Sequence, residues 1–159
     1  MAVKDAFTVE DWTVVGAAPF LVGMYMVAAS PSGPIGLVTE MLTAEKAVAL
    51  EASMPDGLPI VKEIDADLTA QVLSRDLGLI SEGGDTQARV LAELARAVAL
   101  VEAQAPAMDS AFRAWLFREA ERLARLVPET GGRAPRRQVS DTEEAALATL
   151  AALLGVPRR

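Results

Sequence analysis

The chain has 159 residues, a net charge of −7, and neither cysteine nor histidine. That excludes disulfides, thiol nucleophiles, imidazole bases and every zinc site built from Cys or His. One hydrophobic core suffices at this size. With 52% hydrophobic but only 4% aromatic residues, that core is built largely from Ala, Leu and Val, and its Ala and Leu content favours helices over strands.

Charge is unevenly spread. Residues 1–85 hold thirteen acids against four bases, whereas residues 86–159 hold nine acids against eleven arginines. An acidic chain repels nucleic acid unless one face is strongly basic. These arginines are interleaved with glutamates, so nucleic acid is not an expected partner.

Thr8 is placed to cap a first helix that runs to about Ala29. No charge occurs between Trp12 and Val38, and a bilayer span needs only ~20 apolar residues. A membrane-associated subunit using the helix over 12–29 is therefore one alternative. The flanks argue against it, because Asp5, Glu10 and Asp11 precede the run and Glu40 and Glu45 follow it, without the Lys/Arg enrichment that orients spans. The acidic start does not resemble a secretory signal either, so a cytoplasmic protein with a buried central helix is expected. Pro19 should kink that helix by leaving the Val15 carbonyl without its donor.

Ser30–Pro34 breaks the chain, and Pro34 suits the first turn of a second helix reaching about Ser53. The Ser32–Gly36 segment is a helix–helix turn rather than an anion cradle, since Pro34 removes a donor and no Lys or Arg lies near it. Met54-Pro55-Asp56-Gly57 is the next turn. Residues 59–80 form one or two shorter helices, with Ile60, Ile64, Leu68 and Val72 four apart, followed by Leu77 and Ile80. Glu63, Asp65 and Asp67 point to different faces of a helix at i and i+2. Only on a loop would their alternation suit Ca²⁺, and no EF-hand glycine follows.

After Glu82-Gly83-Gly84, Asp85 is placed to cap a helix with Leu91, Leu94, Val98 and Val101 on one stripe. Pro106 separates it from a helix beginning near Asp109 or Ser110, whose buried face is Phe112, Trp115, Leu116, Leu123, Leu126 and Val127. Arg118, Arg122 and Arg125, with Glu119 and Glu121 between them, read as a solvated, salt-bridged face including a Glu121–Arg125 pair. Residues 128–139 are a Gly/Pro/Arg-rich loop. Its Arg133, Arg136 and Arg137 are the candidate contact for a phosphate or an acidic protein partner. Ser140-Asp141-Thr142-Glu143 is a capping box opening a last helix with Leu147, Leu150, Ala151 and Leu154 on one face, ended by Gly155 and Pro157. The expected fold is all-α: one compact domain over residues 1–159, five to seven helices around the central apolar helix.

Two segments resemble TerB-like helical domains, which are associated with tellurite resistance and stress responses in bacteria. One is the apolar helix ending in Ala28-Ala29-Ser30-Pro31-Ser32-Gly33 with Glu40 downstream. The other is Val139-Ser140-Asp141-Thr142-Glu143 followed by Ala145 to Gly155. The resemblance implies an all-helical fold and divalent-metal binding through Glu40 and Glu143. Ser30 stands where the family carries an acid, however, and the loop before the last helix is basic. The expectation is therefore a non-catalytic helical interaction or stress-associated module without a cofactor, engaging a protein partner or a second copy of itself. A carboxylate-based divalent-cation binder is the other alternative. Asp, Glu, Tyr25 and Arg can all do acid–base work, but no pair of them stands out by spacing as an enzyme's would.

Overall fold

The computed structural model describes residues 2–29, 33–73, 86–125 and 141–157, with side chains for all of these except 27–29, 33–42 and 86. Among the described residues, a 3₁₀ turn over Val3–Ala6 precedes six α-helices: α1 (Val9–Ala29), α2 (Gly33–Ser53), α3 (Pro59–Thr69), α4 (Thr86–Gln104), α5 (Pro106–Ala124) and α6 (Asp141–Leu154). Together the helices occupy about two thirds of the chain, and no strand occurs among the described residues.

The helix that lacks an amphipathic pattern takes the central position. α2, α4, α5 and α6 all pack on α1, so Val15, Ala18, Phe20, Leu21, Val22 and Met26 are buried on every side of it. A helix apolar all round requires such a setting. Among the described residues no helix is long and apolar enough to cross a membrane. The small residues of α1 allow close packing: a Cβ on Gly16 would lie 2.6 Å from Cδ1 of Leu73. The helix continues through Pro19. Its start follows the expected chemistry, with the Asp11 N–H donating to Thr8 Oγ1 at 3.1 Å. The hydrophobic cluster around α1 draws on all six helices, with Phe20, Phe112, Ile60, Leu94, Leu116 and Leu150 fully enclosed.

α3 departs from the four-residue spacing of its apolar positions. It ends at Thr69, and Val72 is 65% exposed while Leu73 turns inward. The cause is a Schellman turn, in which Val72 N–H donates to Asp67 O at 2.8 Å and Gln71 N–H to Leu68 O at 3.2 Å. Gln71 carries the left-handed conformation this turn demands, at φ 60°. A side chain there is strained by about 1 kcal/mol. Gln71→Gly should therefore raise stability, by at most about 1 kcal/mol after the larger unfolded-state entropy of glycine is subtracted. A urea-unfolding midpoint unchanged or lowered by the substitution would contradict that account. Pro59 opens α3 at its first turn, where its missing N–H has no helical acceptor to serve.

α5 begins at Pro106 rather than near Asp109. Proline lacks only a donor that the first helical turn leaves unused, so it starts this helix as readily as it ends the previous one. Arg113 then ties three helix ends together: Nε to Asp109 Oδ1 at 2.7 Å, Nη2 to Glu102 Oε2 at 3.1 Å, and Nη1 to the Leu154 carbonyl at 3.5 Å. α6 closes as expected, with Gly155 at φ 65° and Val156 N–H donating to Ala151 O at 3.1 Å. The expected features at Ser30–Ser32, Leu77, Ile80, Glu82–Asp85 and Leu126–Ser140 lie outside the described residues.

Candidate functional site

Four acids are buried among the described residues: Glu51 on α2, Asp67 on α3, Glu119 on α5 and Glu143 on α6. Burying a charge is costly unless it is paired or hydrogen-bonded. The partner of each acid therefore reveals its use.

Asp67 sits one helical turn beyond Glu63, and in helical geometry i and i+4 share a face. That face receives the N-terminal segment. Glu63 Oε2 accepts the Val3 N–H at 2.8 Å and Oε1 the Lys4 N–H at 3.2 Å. Asp67 Oδ2 accepts the indole N–H of Trp12 at 2.8 Å, and Oδ1 takes the Lys4 ammonium at 3.1 Å. Phe7 packs on Trp12 at 5.6 Å between ring centroids, and the 3₁₀ turn is thereby clamped to α3. Alternation of Glu63, Asp65 and Asp67 obscures this pairing, whereas the spacing of Glu63 and Asp67 on a helix is the signal that points to it.

Glu51 closes the α2–α3 turn. Its Oε1 accepts the Leu58 N–H at 3.0 Å, while Gly57 passes beneath its backbone carbonyl. Glu119 is different. It belongs to the segment read as a solvated face, yet it is only 3% exposed, and its Oε2 has no hydrogen-bond partner. Its Oε1 meets Arg122 Nη1 at 3.5 Å, and that arginine is itself half-exposed. Burial raises the pKa of Glu119 above its ordinary value, Arg122 and Arg118 pull it back, and Glu51 across the α2–α5 seam pushes it further up. The outward part of the face is as expected, with Arg125 Nη2 at 3.8 Å from Glu121 Oε2.

The residues expected to bind ligands or partners are only partly placed. Glu143 lies in the first turn of α6, 2% exposed and engaged within the chain. The Glu40 side chain and Arg133, Arg136 and Arg137 lie outside the described residues. Among the described residues no group of three or more acids is arranged to hold a metal ion. Trp115 is buried against Phe112 at 6.0 Å, and Tyr25 is buried in α1.

No family model, curated protein or solved structure matches the chain.

Proposed function

We propose that this chain is a non-catalytic helical interaction module, of the stress-associated bacterial type that its TerB-like segments suggest, acting in the cytoplasm. The observation that carries this reading is where the inward-turned carboxylates direct their oxygens. Glu51, Glu63 and Asp67 are used on the chain's own backbone amides, Trp12 and Lys4. General acid–base chemistry needs titratable groups converging on a place where a substrate can sit, and these converge on the protein itself. On the outside, Leu50 and Met54 lie one turn apart at the C-terminal end of α2, 52% and 37% exposed, beyond the exposed Lys46. An apolar pair with a basic neighbour suits a protein contact.

Two measurements test the proposal. Calorimetric titration with Ca²⁺, Mg²⁺ and Mn²⁺ should give no saturable binding in the micromolar range. Tight binding lost on Glu143→Gln would replace this reading with that of a cation binder. Sedimentation equilibrium should show reversible self-association, weakened in the Leu50→Ser, Met54→Ser double variant at an unchanged melting temperature. A protein that stays monomeric at every concentration would remove the role proposed for this face.

A further inference from the structure

The 3₁₀ turn of the N-terminal segment buries none of its residues completely and packs chiefly on α3. Val3 and Phe7 only edge onto the core, while Asp5 and Ala6 face solvent. What holds the segment is polar. Glu63 spreads its two oxygens over the successive N–H groups of Val3 and Lys4, at 2.8 and 3.2 Å, and Asp67 takes the Lys4 ammonium at 3.1 Å. A carboxylate bridging two main-chain amides recognises the course of a backbone rather than the side chains it carries. Part-exposed contacts of this kind contribute little net stability and can be replaced by equivalent donors from another chain.

The receiving face does not depend on the segment it holds. Asp67 Oδ2 accepts the Trp12 indole N–H at 2.8 Å, a bond that joins α3 to α1. Lifting residues 2–7 leaves that bond in place. It frees both oxygens of Glu63, Oδ1 of Asp67 and the side of the Trp12 ring against which Phe7 packs. We propose that this face is a docking site for a short segment of a partner protein, filled in cis by residues 3–7 and opened when that strap is displaced. The strap itself states the chemistry of the partner. Two successive main-chain amides meet Glu63, a lysine meets Asp67, and an aromatic side chain three residues beyond the lysine meets Trp12. A tethered segment competes at an effective concentration in the millimolar range, so the closed form is the resting one. The proposal adds a second contact to the interaction-module reading on which it rests. It uses neither Leu50 nor Met54, so each contact can fail without the other.

The probe is a synthetic peptide reproducing residues 2–8, titrated into the full chain while the Trp12 indole N–H resonance is followed. The indole of Trp115, buried on α5, is the internal control. Apparent affinity scales with the fraction of molecules whose face is open. Lys4→Glu turns attraction to Asp67 into repulsion and lifts the strap while leaving the face intact, so this variant should bind the peptide about fivefold tighter than the unaltered protein. Adding Glu63→Ala to Lys4→Glu should then weaken binding about tenfold or more, by removing the acceptors of both amides. A Lys4→Glu variant that binds no tighter than the unaltered protein, or equally well with and without Glu63→Ala, overturns the proposal. A dimer of the unaltered protein that Glu63→Ala dissolves, with no peptide binding by Lys4→Glu, would seat a second copy's strap on the face and overturn the partner named here. If Lys4→Glu does not fold, Val3→Pro takes its place in both comparisons. It deletes one N–H to Glu63 at the first residue of a helical turn, where proline is accepted.

Discussion

Gly57→Ala is expected to destabilise the protein by about 3 kcal/mol or more, lowering the melting temperature by about 10 °C for a chain of this size. The reason is contact rather than backbone strain. A Cβ at Gly57 would stand 1.9 Å from the backbone oxygen of Glu51 and 3.1 Å from that of Met54. Both obstacles are main chain, so no rotamer change relieves them. The turn closed by Gly57 N–H to Met54 O at 3.0 Å would have to open, taking the Glu51–Leu58 hydrogen bond with it. Gly155 provides the contrast. Its φ is +65°, but a Cβ added there would meet nothing within 4 Å, so Gly155→Ala should cost only about 1 kcal/mol of conformational strain. Thermal denaturation of the two variants separates the mechanisms, and equal losses would show that the α2–α3 turn yields more easily than its geometry implies.

Asp67→Ala should cost about 2–3 kcal/mol, because it strands the buried Trp12 indole N–H and releases Lys4 from α3. Asp67→Asn separates the two losses. An asparagine oxygen can still accept from Trp12, while the ion pair to Lys4, whose side chain is 42% exposed, contributes less than about 1 kcal/mol. Chemical unfolding followed by tryptophan fluorescence checks both variants. A large loss in Asp67→Asn would mean that the ammonium, not the indole, governs how the N-terminal segment docks.

Helix boundaries are largely legible in the sequence. Thr8, Pro34, Gly155 and the acids at the start of α6 act within a turn or two of their own position, and capping and periodicity depend only on such neighbours. The end of α3 escapes the same signals. Its apolar spacing continues through Val72, while the left-handed turn falls at Gln71, a residue that seldom adopts it and so gives no compositional sign. The start of α5 lies earlier than its polar residues suggest, because proline both ends and begins helices.

Which acids face inward is a different kind of property. Glu119 and Glu121 are near neighbours on α5, yet Glu119 is enclosed and Glu121 pairs with Arg125 at the surface. Asp67 meets Trp12 across 55 residues of sequence. By itself the sequence determined an all-helical chain, a central apolar helix and the exclusion of thiol and imidazole chemistry. Those follow from local propensity, hydrophobic pattern and the residue types present. The clamp on the N-terminal segment, the crowding at Gly57 and the burial of Glu119 were decided only by tertiary structure. Burial of a polar group is set by whichever distant helix packs against it, and no local pattern encodes that.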